Sequence, residues 1–428
     1  MTQTRWPRLL VCLALALLVS GGASAEEGPR FPIETITIAG ANARSAAILL
    51  AESRLHEGHA YSEADLRDAV LRMDRLPFVL EADFRLEKGR VRGQFELVVT
   101  VTETLPVFIG FNTMQHWVDT KRVVAIHPSA PDEAPEIEYA NRIEHGSEDR
   151  GTLGGRWFIG AKGVAHAAVD YFSCGACPSR FPRMSAGYTQ YDLFGTNATV
   201  SLVAQYRNTP FDLPDAFTGD TDASLTDRLA FQVSAALPLF RNEAVRATLY
   251  RQTDPFSYAV QQGSSTVIRV ERVHYDTASL AWLHDTTNDP LFPTRGTSMR
   301  VSVQSSDRVQ LREGEPKRDR DRDYSASASR YWELTPTHSV FGTAELQTFR
   351  DREFRETRLG AGYAASLFHR GSDVRLGDLR FEARAEHVLS DYGSASSYGT
   401  ARAGVSLRGR WGVIGFALQY VGWRDRDE

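Results

Sequence analysis

Apolar and polar residues alternate singly along most of the chain. In "TSMRVSVQ", Met299, Val301 and Val303 stand against Ser298, Arg300, Ser302 and Gln304. In "DLRFEARAEHVL", Phe381, Ala383 and Ala385 stand against Arg380, Glu382, Arg384 and Glu386. The same period runs through Val200, Leu202, Ala204 and Tyr206, through Leu229, Phe231, Val233 and Ala235, and through Ala401, Ala403, Val405 and Leu407. Successive side chains of a strand point to opposite faces, so each segment predicts a strand with one apolar and one polar face. Between Leu105 and Trp423 no helical pattern runs longer than a turn or two.

Two architectures produce such strands. A soluble sandwich buries the apolar face and wets the other. A transmembrane barrel turns the apolar face to lipid and the polar one to a lumen. Three features favour the barrel. Many segments run about nine to twelve residues, the length a tilted strand needs to cross a bilayer. Short turns such as "LFRNEA" and "DLFGTN" alternate with longer loops such as "SSDRVQLREGEPKRDRDRDY", as in barrels with short connections on one side and long ones on the other. The apolar faces mix alanine with aliphatics and aromatics, which suits lipid and would fill a core poorly. At about twenty residues per strand and turn, residues 105–428 predict an all-β antiparallel barrel of about 12–16 strands, even in number.

Residues 26–104 follow another pattern. "FPIETITIAG" alternates Ile36 and Ile38 with threonines and stops at Gly40, which predicts a strand. Ser45 is placed to cap a helix over "AAILLAESRL" that ends near Gly58. Ser62-Glu63-Ala64-Asp65 resembles a capping box, and Leu66, Ala69, Val70 and Met73 recur behind it at helical spacing. Two strands follow, one with Leu80, Ala82, Phe84 and Leu86 on a face and one with Phe95, Leu97, Val99 and Val101. The order β-α-α-β-β is enough for one small α+β domain.

The start of the chain points to export. Arg5 and Arg8 precede an apolar run from Leu9 to Val19 and then Ala23-Ser24-Ala25. That is the form of a secretory signal peptide over residues 1–25, its core too short for a membrane anchor. Cys12 belongs to that segment, which leaves Cys174 and Cys177 in "CGAC". In an exported chain the pair is most simply a small loop disulfide. A redox centre calls for a helix N-terminus that the surroundings lack, and a metal for more ligands than lie nearby. A net charge of -5 and a mean hydropathy of -0.32 carry no nucleic-acid signal.

Candidate chemistry is sparse. Arg380, Glu382, Arg384 and Glu386 alternate in sign along one strand face. In a lumen such a ladder pairs with itself and with neighbouring strands; a conductance filter or a docking site for an inserted loop is the sharper alternative. "REGEPKRDRDRD" predicts a solvated outer loop. His56 and His59 in "HEGH" lack a third ligand, so no metal site is expected. No H-E-x-x-H, G-x-S-x-G or P-loop is present, so no catalytic residue, enzymatic activity or cofactor is expected.

Several stretches resemble one family. Gly58-x-x-Tyr61, with Leu66, Leu71, Leu76 and Phe78 behind it, looks like a POTRA domain, the periplasmic module that precedes the barrel in outer-membrane assembly and secretion proteins. "DTTNDPLFPTRG" resembles the turn D-x-x-x-N-P-x-x-P-x-x-G of the BamA, TamA and FhaC superfamily. Asp285, Pro290, Pro293 and Gly296 match it, and Asp289 is inserted between Asn288 and Pro290. "YDLFGTNATVSL" resembles an earlier strand, turn and strand of that family. "GVIGFALQYVGW" resembles the C-terminal strand by which such barrels are recognised for insertion, here followed by "RDRDE".

The resemblance implies a bacterial outer-membrane location with the POTRA domain in the periplasm. It implies that the strand running from Phe78 through Leu80, Ala82, Phe84 and Leu86 offers an edge to extended client chains; the plainer alternative is a solvated edge blunted by Glu81, Asp83 and Arg85. It further implies an R-G dipeptide in a late loop that folds into the lumen against an acidic residue. Arg370-Gly371 is the candidate, flanked by His369 and Ser372 where the family has a small aliphatic and an aromatic residue. Glu382 and Asp391 are the candidate partners. The function implied is insertion or translocation of client polypeptides, in company with the lipid bilayer and periplasmic accessory proteins. A passive pore or lipid-handling barrel, and an adhesive surface protein using its loops, are the competing readings.

Overall fold

The computed structural model describes residues 28–127, 136–174, 181–211, 224–240, 242–262, 265–289, 291–310, 317–349, 354–366, 378–390 and 396–425. Residues 1–25, read as a signal peptide, lie outside them. The N-terminal domain comprises β1 (Arg30–Ala39), α1 (Ala43–Ser53), β2 (Ala60–Ser62), α2 (Glu63–Asp74), β3 (Val79–Lys88) and β4 (Phe95–Glu103). Its sheet has the order β2-β1-β4-β3, with β1 parallel to β4 and the other pairs antiparallel. Ser62 and Asp65 form a complete capping box at the start of α2. The stripe Leu66, Ala69, Val70 and Met73 is buried with Ile48 and Leu49 of α1 and with Leu97, Val99 and Val101 of β4.

Two local expectations are corrected. β2 was not anticipated, because three residues are too few to show a period. α1 is capped by Asn42, whose side-chain oxygen accepts from the Arg44 and Ser45 amides at 3.0 and 3.1 Å. Asn42 is extended, as a cap requires, whereas Ser45 lies within the first turn and returns its hydroxyl to the Asn42 carbonyl.

The rest of the described chain is strand. β5 (Val107–His127), β6 (Glu136–Ile159), β7 (Gly163–Cys174), β8 (Phe181–Leu193), β9 (Ala198–Phe211), β10 (Ser224–Pro238), β11 (Glu243–Gln262) and β12 (Ser265–Asp285) precede the Pro/Gly turn. After it come β13 (Gly296–Gln310), β14 (Lys317–Thr335), β15 (His338–Phe349), β16 (Phe354–Ser366), β17 (Asp378–Ser390), β18 (Ser396–Gly409) and β19 (Gly412–Asp425). Together they form a closed barrel of 15 strands in chain order. Sequence neighbours pair antiparallel. The ring closes where β19 lies parallel to β5, from Gly412 opposite Ile109 to Gly422 opposite Asp119. The expectation of an even number is therefore corrected. Strands alternate in direction, so the fifteenth points the same way as the first and must close the ring in parallel.

The predicted apolar faces point outward. Phe231, Leu280, Val301, Val303, Phe416 and Leu418 are all exposed, and Leu249 is 62% so. Such a girdle is costly in water and suited to lipid. The presumption that "REGEPKRDRDRD" is wholly a loop is also corrected. Lys317 to Asp323 belong to β14, opposite Gln304 to Gln310 of β13. There Arg320 grips Asp307 with two hydrogen bonds of 2.6 and 2.9 Å, so charges of opposite sign support the ladder instead of breaking it.

Candidate functional site

The N-terminal domain sits on one rim of the barrel. Arg156, near the end of β6, donates to the carbonyls of Pro77, Thr104 and Leu105 at 3.0, 3.0 and 2.9 Å and to the Thr104 hydroxyl at 2.6 Å. Its guanidinium lies 5.9 Å from the centre of the Phe78 ring. Phe78 also meets Phe158 and Tyr191 edge to face, with centroids 5.1 and 6.5 Å apart, so one core continues from domain into barrel. Around the rim, Arg44 donates to the Phe158 carbonyl, Arg54 to that of Phe240 and Arg75 to those of Asp285 and Thr287. Arg410, in the turn before β19, donates to the Glu103 carbonyl at 3.0 Å. Burial raises the Glu52 carboxyl above its ordinary range despite Arg54 nearby, and burial together with Arg54 lowers Arg72 to about 10.

From this rim the turn between β12 and β13 reaches inward. Its base is tied by the Thr286 amide to the Thr297 carbonyl and by the Thr297 amide to the Thr286 hydroxyl. The Asn288 side-chain oxygen accepts from the Thr294 and Arg295 amides, and an Asp289 carboxylate oxygen from the Leu291 and Phe292 amides. Gly296 leaves the turn at φ 103, a left-handed conformation that favours glycine.

The tip docks on the far wall. Arg408 of β18 donates to the two Asp289 carboxylate oxygens at 3.0 and 2.9 Å. Arg380 of β17 donates to the Pro293 carbonyl at 3.1 Å. Both guanidiniums lie against the Phe292 ring, 4.9 Å away for Arg408 and 5.5 Å for Arg380. Since β17 and β18 stand four and five places round the ring from β13, the turn crosses the lumen. Asp289, Arg380 and Arg408 are all buried, and each charge is satisfied by a partner, as burial demands.

The other site residues fall out as follows. Arg380 meets Glu382 at 3.3 Å and Arg384 meets Glu386 at 3.4 Å, so the charge ladder pairs along its own strand. Arg370, Gly371, Asp391 and Pro290 lie outside the described residues, as does Cys177; Cys174 ends β7. Ser366 pairs with Arg380 and Asp378 with Arg408, so β16 ends and β17 begins at the rim that carries the domain. In the N-terminal sheet β3 is the outer strand. Its flank Phe78 is buried against the barrel, and Ala82, Phe84 and Leu86 turn to the domain core. No group of three or more metal-ligating side chains occurs among the described residues. Arg408 and Phe292 were not anticipated: nothing local to either marks a partner so distant in sequence.

No protein-family model matches the sequence, and no curated protein matches it. Among solved structures, the chain is similar to CdiB from Escherichia coli, with 14% identity and a TM-score of 0.52 over 88% of this chain and 70% of that one. It is also similar to CdiB from Acinetobacter baumannii, at 9% identity and TM-score 0.43 over 92% and 74% of the two chains. BamA from Haemophilus ducreyi lacking POTRA domains 1–3 aligns at 11% identity and TM-score 0.43 over 94% and 82%. The likeness to the Escherichia coli protein shows a shared fold.

Proposed function

We propose that this chain is an outer-membrane barrel of the assembly and translocation type, a member of the BamA, TamA and FhaC superfamily that its motifs resemble. In this reading the N-terminal domain is a POTRA module in the periplasm. The outer edge of β3, where the Asp74 and Asp83 carboxylates now accept from the Ala82 and Phe84 amides, exchanges them for an extended client strand. The barrel parts between β5 and β19 to pass the client towards lipid. The observation that carries the reading is where the sheet and the seam meet. β4 ends at Glu103, β5 begins at Val107, and Arg410 before β19 holds the Glu103 carbonyl. A strand added beside β3 therefore lies one strand from the chain that enters the seam. The parallel seam is also the pairing with the poorer ladder geometry. Client folding and burial in lipid would supply the energy.

The test is reconstitution. Purified protein in liposomes should speed the folding of a denatured outer-membrane barrel, read as heat-modifiable mobility on gels, relative to empty liposomes. Equal rates sink the assembly reading. Conductance without any effect on client folding would favour the passive-pore alternative.

A further inference from the structure

We infer that the cavity beside the lumenal turn is a binding site for a phosphate-type oxyanion. The cavity measures about 440 Å³ and lies next to the β19–β5 seam. Four guanidiniums line it, Arg150, Arg380, Arg384 and Arg402, against one carboxylate, Glu382.

Their commitments differ. Arg380 is taken up by the Pro293 carbonyl and Glu382. Arg384 reaches Glu386 outside the cavity, and Arg150 rests on the Phe172 ring with Glu148 only within 3.9 Å. Asp289, at the tip of the turn, is engaged by Arg408, and Glu386 acts on Arg402 from beyond the cavity lining. Arg402 makes no hydrogen bond or ion pair among the described residues. It also stands directly opposite Arg384 in the ladder. Like charges facing each other across a strand pair are destabilising, and the fold nevertheless keeps both. An anion between them turns that repulsion into two attractions. The guanidinium fork matches a tetrahedral oxyanion through paired N–H donors. Gly404 and Gly415 leave room around it, and Ser406 adds a hydroxyl on the same wall.

Free phosphate and the phosphate of a lipid headgroup share this chemistry. Phe111 and Phe416 line the same cavity although both are exposed on the outer face, so parting of the paired seam would open the site to the bilayer. Isothermal titration of the whole protein in zwitterion-free detergent micelles, with inorganic phosphate in one arm and short-chain phosphatidic acid in the other, tests the site. Binding to the wild type is expected in at least one arm. A response in both shows that phosphate alone suffices, and a response to the lipid alone assigns the headgroup. Arg384→Gln/Arg402→Gln should weaken binding by about tenfold or more, the loss of charge-assisted hydrogen bonds. Arg402→Gln alone removes a charge that forms no direct ion pair among the described residues, Glu382 and Glu386 acting on it only at longer range. It should fold as the wild type does, by heat-modifiable mobility, and still bind more weakly. Absence of binding by the wild type in both arms, or equal binding by wild type and the Arg402→Gln variant, overturns the proposal.

Discussion

Asp289 and Arg408 stand 119 positions apart in the chain and meet across the lumen in hydrogen bonds of 3.0 and 2.9 Å, with side chains only 7% and 6% exposed. Removing one member of a buried ion pair costs about 3–5 kcal/mol, because the other charge is left without compensation. Asp289→Asn should therefore loosen the turn from the wall and raise single-channel conductance in planar bilayers. Asp289→Asn/Arg408→Gln should recover part of the closure, since no orphan charge remains. Conductance unchanged in the single variant would show that this contact does not close the rim.

Arg156 holds three carbonyls of the domain and its linker at once. Arg156→Ala removes the donor from all three, but Pro77 and Leu105 are exposed and water can replace it there, so each lost bond costs about 0.5–1.5 kcal/mol. Hydrogen exchange at the Thr104 and Leu105 amides is expected to quicken while β10 to β14 stay protected. Equal protection of the linker in both proteins would mean that the aromatic contacts of Phe78 suffice for docking.

Gly296→Ala meets two obstacles. The backbone is left-handed there, and the added methyl would strike the Thr286 carbonyl oxygen. A loss of about 1–3 kcal/mol is expected, seen as a lower denaturant midpoint. A midpoint equal to that of the wild type would count against the turn being rigid at its exit.

How much of this could be seen in the chain alone depends on range. Periodicity is a local property, so the faces of the strands and the stripe Leu66, Ala69, Val70 and Met73 were legible. β2 fell below the length that shows a period. Lys317 to Asp323 was misread because charge suggests solvent, although Arg320 finds Asp307 across the ladder. Strand parity was lost with such ends. The motif "DTTNDPLFPTRG" announced a turn, but Asp289, which looked like an insertion in it, is the residue that binds the far wall. Contacts of that kind depend on how the barrel curves, and curvature leaves no mark on neighbouring residues.

A covalent lock tests the seam. Phe111 and Ile414 are opposed across it and both face outward. Cysteines at these two positions, in a chain with Cys174 and Cys177 changed to serine, should cross-link on oxidation. Client folding should stop in the oxidised protein and resume after reduction. Full activity with the lock closed would rule out lateral opening at this seam.

Glu52 should make docking pH-dependent. Its carboxyl is raised above the ordinary 4.5 by burial, with Arg54 opposing, so the folded protein holds the proton more tightly than the unfolded chain. The stabilisation is complete below the ordinary value and is lost as pH rises through the folded one. The thermal midpoint should fall across that window in the wild type and stay flatter in Glu52→Gln. Parallel pH profiles for the two proteins would remove Glu52 from the interface.

An odd number of strands has a price at the end of biosynthesis. Strands delivered as hairpins leave both ends on the side they entered, and β5 to β18 can be laid down in such pairs. β19 has no companion, and it finishes on the side opposite the N-terminal domain with Arg424 and Asp425 at its tip. In the proposed membrane setting that tip would cross hydrocarbon alone, where an arginine costs about 2–4 kcal/mol at the midplane. On that reading the barrel would be completed by threading its last strand, not by folding over its last hairpin.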